Sequence, residues 1–231
     1  MLDTSRKVVV VGDGMVGKTA LLQAYVLDKF QSDYVPTVFE TAAKTVELND
    51  GRRVTLGLWD SGGQEEFDQI RQLAYPEASL ILLCYAVDSP ISLENIVQTW
   101  LQEVRFHCPS VPVMLVGCKS DRRGKFQDIG DKRNILDETI VEPARAELIS
   151  KHIGAWVHVE CSSLNRSNVE TVFQLAARFI LDDQANKSKR INLSRILRFQ
   201  GERRDALRRT LNTRSSLLSR FSCFSQRSRD T

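Results

Sequence analysis

The chain predicts an α/β fold built on a mostly parallel sheet, on three observations. Strand-like and helix-like stretches alternate along residues 1–185. The strand-like stretches are short, β-branched and apolar without interruption, as strands buried on both faces are. The stretches between them are long enough for helical crossovers, and right-handed crossovers build six strands, one of them antiparallel, with helices on both faces.

Taken in order, Arg6–Gly12 (RKVVVVG) reads as a buried strand that ends in glycine. Gly17–Asp28 follows as a helix, with Leu21, Leu22, Tyr25 and Val26 as its apolar stripe. Thr45–Leu48 and Arg53–Trp59 flank Asp50-Gly51, a hairpin signal. Ser79–Val87, Val111–Gly117 and Ala155–Cys161 are further strands, with helical patterns at 89–107, 143–153 and 167–182. Residues 122–142 break the alternation. Their mix of Gly, Asp, Lys and Arg reads as an exposed insertion ending in a short helix, or as a plain solvated loop.

Composition narrows the class. The 231 residues are 42% hydrophobic and 26% charged, as in a soluble globular chain. The longest apolar run, Leu80–Val87, falls far short of the ~20 residues that cross a bilayer. No apolar leader opens the chain, and five cysteines without framework spacing point to reduced thiols. These features exclude a membrane-spanning or disulfide-scaffold protein and place the chain in the cytoplasm. Charge is unevenly spread: residues 186–231 hold 13 basic and three acidic residues, against 19 basic and 26 acidic in residues 1–185. An acidic body, 1–185, is joined to a basic tail, 186–231.

Four segments carry chemistry. Gly12-Asp13-Gly14-Met15-Val16-Gly17-Lys18-Thr19 is a phosphate-binding loop, placed between a strand and a helix. Its glycines let backbone N–H groups turn toward a polyphosphate, and the helix N-terminus adds its dipole. Lys18 reaches the outer phosphates, and the Thr19 hydroxyl is a ligand for Mg²⁺. Asp60-Ser61-Gly62-Gly63-Gln64 closes the third strand. There Asp60 can hold a metal-bound water, Gly63 N–H a γ-phosphate, and the neutral Gln64 an attacking water. Gly117-Cys118-Lys119-Ser120-Asp121 follows the fifth strand. The Asp121 carboxylate can accept from guanine N1–H and its 2-amino group, which adenine lacks on that edge, and the Lys119 stem can lie on the base. At the next strand tip, Cys161-Ser162-Ser163 offers N–H groups to guanine O6. Between the first helix and the second strand, Phe30 can stack on a purine and Thr37 can complete a Mg²⁺ shell. Residues 30–42 there carry no regular pattern, which suits a mobile loop.

This order of motifs resembles that of the Ras-like small GTPases, over residues 6–182. Within them, Gly12-Asp13-Gly14, Tyr34-Val35-Pro36-Thr37-Val38-Phe39-Glu40, Leu93-Glu94-Asn95 and the 122–142 insertion resemble the Rho family. The resemblance implies a P-loop NTPase of the small G-protein fold with a Rho-type insertion. It implies a monomeric switch for GTP and GDP in signal transduction, in control of cytoskeleton or polarity, with loops 30–42 and 61–75 closing on GTP and Mg²⁺. Catalysis then falls to Gln64, Lys18 and Thr37, and the metal to Thr19, Thr37 and, through water, Asp60. Met15, Val16, Ala20, Tyr34, Ser162, Ser163 and Leu164 join the nucleotide contacts. Hydrolysis is slow until an activating partner supplies an arginine. Exchange factors, GTPase-activating proteins and effectors are the implied partners, without specific nucleic-acid binding.

Four residues depart from the family pattern. Cys118 stands where an Asn or Thr is usual, so the base is tethered more weakly. Ser61-Gly62 replaces Thr-Ala, which adds backbone freedom beside Gln64. Leu164 replaces a lysine that covers the base, and Ala42 replaces an effector-surface tyrosine. The Gly-Cys-Lys-Ser-Asp stretch is also similar to Rnd-type proteins, which stay GTP-bound. A constitutively loaded signalling scaffold is therefore the alternative, which the retained Gln64 opposes.

The chain ends Ser228-Arg229-Asp230-Thr231 without the family's prenylation box. Its arginines interleave with Leu193, Ile196, Leu197, Leu207, Leu211, Leu217 and Leu218. One reading is a basic amphipathic surface for an anionic membrane, at the cytoplasmic face of the plasma membrane, with Cys223 open to acylation. The other is a solvated basic extension or regulatory tail.

Overall fold

A computed structural model describes residues 5–30, 39–125 and 140–186. Tyr34, Thr37, most of the 122–142 insertion and the tail beyond 186 lie outside the described residues.

The described residues form one six-stranded sheet: β1 (Arg6–Val11), β2 (Phe39–Glu47), β3 (Arg53–Ser61), β4 (Leu80–Ala86), β5 (Val113–Cys118) and β6 (His158–Glu160). The spatial order is β2-β3-β1-β4-β5-β6. β2 runs antiparallel to β3, and every other pairing is parallel. The reversal occurs at Asp50-Gly51: Gly51 takes φ 80°, and Asp50 Oδ1 accepts from Arg52 N at 3.1 Å. β2 starts at Phe39, so residues 39–42, expected to be irregular, are already strand. Pairing with β3 from Phe39↔Ser61 onward supplies the order that residues 39–42 lack in their own pattern.

β1 explains why its valines carry no alternation. Val8 and Val10 face one core with Leu21, Tyr25, Val172 and Phe173, while Val9 and Val11 face a second with Ile96, Trp100, Val104 and Ala146. All four valines are fully buried, each at roughly 1.5–3 kcal/mol of apolar stabilisation. α1 (Lys18–Val26) and the helical residues 169–181 (α7) bear on the first core, where the Tyr25 and Phe173 rings stack at 3.7 Å.

The second core is covered by the stretch expected as one helix at 89–107. It is instead α-helical at Pro90–Asn95 (α3), π-helical at Ile96–Trp100, and α-helical again at Leu101–His107 (α4). Residues 61–75, expected as a loop, contain a 3₁₀ turn at Glu65–Phe67 and the short helix α2 (Asp68–Gln72). Too short for a period to show, these are held by Arg71, which is 3% exposed. Short α5 (Arg122–Lys125) and α6 (Pro143–His152) complete the described helices. The chain divides into compact units Met1–Leu181 and Asp182–Thr231; the described residues of the second, 182–186, are helical. No helix among the described residues is long and apolar enough to cross a membrane.

Candidate functional site

Four strand tips, those of β1, β3, β5 and β6, point to one end of the sheet, and the site is built from the loops that follow them. After β1, the loop from Gly12 to Gly17 wraps over the start of α1. Gly12 has φ 148°, and a Cβ there would overlap the Cys84 carbonyl oxygen, so only glycine passes this point. Gly17 enters α1 at φ 109°. No side chain caps α1 and its first turn holds no acid, which leaves the N-terminal N–H groups and the helix dipole open to an anion. Met15, exposed, sits at φ 65°, a left-handed conformation uncommon outside glycine.

Lys18 is buried, and its Nζ donates to Gly12 O at 2.7 Å and Asp13 O at 2.8 Å. Burial lowers its pKa, opposed by the nearby Asp60 carboxylate. The ammonium is thus threaded through the loop's own carbonyls. Beside it, Thr19 Oγ1 donates to Asp60 Oδ2 at 2.6 Å. Asp60 is 2% exposed, and its Oδ1 is buried without a hydrogen-bond partner. Burial pushes this carboxyl up to about 6. An orphaned carboxylate oxygen beside a hydroxyl, next to an anion-binding loop, is a donor set that fits a hard divalent cation such as Mg²⁺.

At the end of β3, Ser61 Oγ donates to Val10 O at 2.7 Å, which ties the start of the loop carrying Gln64 to β1. Gly63 presses against the phosphate loop: a Cβ there would overlap the Gly12 carbonyl and crowd Asp13 and Gly14 N. Gln64 is exposed, and a Cβ at Gly14 would stand 3.6 Å from its Cγ. Backbone segments 49 to 51 residues apart in sequence are therefore in direct contact. Gly62 does not hang free as its lack of a side chain suggested, because its carbonyl accepts from Arg71 Nη1 at 3.0 Å.

The base end comes from β5 and β6. Asp121 Oδ1 accepts from Ser162 Oγ at 2.5 Å, which fixes the carboxylate's orientation. Lys119 is held at φ 62° and lies 3.6 Å from Asp88. Ser162 N–H is engaged with Ser167 O at 2.9 Å, so its part here is the hydroxyl on Asp121 rather than an N–H for O6. Ser163 is nearly buried next to it. Phe30 and Leu164 are 46% and 51% exposed on separate loops, which the Asp28–Arg166 ion pair links. Cys118 is buried, with its Cβ 3.4 Å from where a Gly17 Cβ would stand, and the buried thiols of Cys84 and Cys161 belong to the same core. Val16 is buried and Ala20 half-buried in the first turn of α1.

Sequence reasoning missed the supports: Ser162 for Asp121, Arg71 for Gly62, and the pair Asn95 and Trp100, whose Nδ2 and Nε1 donate to the two Asp13 carboxylate oxygens at 2.8 and 2.6 Å. None of these partners is a neighbour in sequence, so no local pattern announces them.

The Ras family model matches residues 7–182. The chain is 45% identical over 184 residues to "GTP-binding protein RHO1" of Eremothecium gossypii, covering 80% of this chain and 88% of that protein. It is 44% identical over 184 residues to "GTP-binding protein Rho1" of Kluyveromyces lactis, with the same coverage. It is 42% identical over 181 residues to "GTP-binding protein RHO4" of Saccharomyces cerevisiae, covering 78% of this chain and 59% of that protein.

Proposed function

Because this chain belongs to the Ras family, as a Rho-like small GTPase that binds guanine nucleotide and hydrolyses GTP, we propose how its residues divide that work. The N-terminal N–H groups of α1 and the threaded Lys18 hold the phosphates of the nucleotide. Thr19 and Thr37, with Asp60 through water, would hold Mg²⁺, which would supply positive charge against the outer phosphates. Gly63 N–H holds the γ-phosphate, and Gln64 orients the attacking water. Asp121, steadied by Ser162, selects guanine, while Phe30, Lys119 and Leu164 cover the two faces of the base.

The observation that carries the hydrolytic reading is the seat of Gly63 on the phosphate loop. It places the residue before Gln64 against the backbone of Gly12, Asp13 and Gly14. A constitutively loaded scaffold is not favoured: the relatives are Rho proteins, and Gln64 is retained. Exchange factors, activating proteins and effectors are the partner classes of such proteins, and the 13 basic residues of 186–231 support attachment to an anionic membrane surface at the cytoplasmic face.

Single-turnover hydrolysis of preloaded GTP by the full chain tests this. Gln64→Leu should slow hydrolysis at least about tenfold while GTP still binds, since a lost transition-state contact leaves ground-state affinity alone. Equal rates in variant and wild type remove Gln64 from the role.

A further inference from the structure

Asn95 and Trp100 are five residues apart. In a continuous α-helix such a pair points about 140° apart, and the two cannot share a target. Here the turn Ile96–Trp100 is π-helical, and i→i+5 closure brings residues five apart toward one face. Both side chains consequently reach Asp13: Asn95 Nδ2 bonds Oδ2 at 2.8 Å and Trp100 Nε1 bonds Oδ1 at 2.6 Å. The carboxylate of a phosphate-loop residue is thus held by two donors from a helix 82 positions and more away in sequence.

The same indole serves a second neighbour. The Arg71 guanidinium lies over the Trp100 ring, 4.8 Å from its centroid. Arg71 is in turn locked by Glu103, with Nε to Oε1 and Nη2 to Oε2 both at 2.8 Å, and Tyr75 Oη steadies the same Glu103 at 2.6 Å. Its remaining Nη1 holds the carbonyl of Gly62, two residues before Gln64. One edge of Trp100 grips the phosphate loop, and one face supports the clamp on the catalytic loop.

We propose that Trp100 is a positioning residue for GTP hydrolysis: through Asp13 on one side and Arg71–Gly62 on the other, it sets the spacing between the phosphate loop and the loop carrying Gln64, and the π turn exists to place it. A hydrogen bond to a charged group is stronger than one between neutral groups, so the two part-buried bonds to Asp13 make a firm connection. The Arg71 clamp compensates for the freedom that Gly62 brings. The inference rests on the reading of Gln64 as the residue that orients water.

The test follows hydrolysis of bound GTP and, separately, GTP dissociation in the full chain. Trp100→Phe keeps an aromatic ring on the Arg71 side and removes the indole N–H together with part of the ring. Hydrolysis should fall roughly tenfold, since a misplacement of well under 1 Å near the reacting groups is enough. Dissociation should change less than about threefold, because the backbone donors to the phosphates stay in place. Asn95→Ala, which removes the other donor, should show the same split if Trp100→Phe folds poorly. In the double variant Trp100→Phe/Arg71→Lys, hydrolysis should be no slower than in the worse single variant, as for two parts of one connection. Wild-type hydrolysis in both single variants, or a slowing matched by an equal gain in dissociation, or multiplicative losses in the double variant, would overturn the proposal. Gln64→Leu runs alongside. Wild-type hydrolysis there refutes the role of Gln64, whatever Trp100→Phe does.

Discussion

The phosphate end and the base end of the site are built on opposite plans. The proposed phosphate end centres on one contiguous loop of eight residues whose donors are backbone groups and one threaded lysine, packed so closely against β4 and the loop after β3 that Gly12 and Gly63 admit no side chain. The proposed base end draws on three separated segments, at Phe30, at Asp121 and at Ser162 with Leu164, and its central feature is one carboxylate steadied by one hydroxyl. Phosphate is a fixed, highly charged shape that a rigid main-chain cradle can match. Base choice is a difference of a few donors and acceptors, which side chains on separate loops can adjust independently.

The contrast can be broken most forcefully at Gly12. Gly12→Ala should cost about 3–5 kcal/mol of stability, because the overlap is with the main chain of β4 rather than a movable side chain. Gly14→Ala, with only Gln64 Cγ at 3.6 Å, should stay within about 1 kcal/mol. Urea unfolding of the two variants measures the gap, and equal midpoints would dismiss the close-approach argument. At the base end, Asp121→Ala should lower the preference for GTP over ATP about 10- to 100-fold, read by competition against labelled GTP. Ser162→Ala should lower it only about fivefold, the value of one orienting hydrogen bond. If Ser162→Ala matches Asp121→Ala, the hydroxyl does more than steady the carboxylate.

The smallest effect concerns the support behind the base end. His158 Nε2 lies 2.9 Å from Tyr85 Oη, and the ring is faced by Glu147, Glu160 and Arg123. Burial holds its pKa below the usual 6.5, opposed by the two glutamates. As pH falls through the unfolded value, the unfolded chain takes up a proton that the folded chain refuses, so stability declines on acidification. His158→Gln should flatten the fall in Tm between about pH 7 and pH 5 by a few degrees. An unchanged slope would mean that other groups set it.

The same division explains what could be read beforehand. Six strands, the reversed hairpin and the phosphate loop were legible because each is written in consecutive residues: the RKVVVV run, Asp50-Gly51, and Gly12 to Thr19. The placement of Asp60 at a strand end and of Gln64 just beyond it was legible for the same reason. The break of the 89–107 helix at Ile96–Trp100 was not, since a π turn leaves the composition of a helix unchanged and shifts only which face each residue occupies. Order at Phe39–Ala42 was hidden as well, because it comes from pairing with β3. Gly62 was read as loose because the guanidinium that holds its carbonyl belongs to Arg71, on the far side of a turn.

Sequence alone determined the class of ligand and the order of the parts, because apolar periodicity and glycine spacing act through neighbouring residues. Tertiary structure decided how those parts are held: Ser162 on Asp121, Trp100 and Asn95 on Asp13, Arg71 on Gly62. Hydrogen bonds of that kind form wherever folding brings a donor within about 3 Å of an acceptor, and separation along the chain carries no information about them.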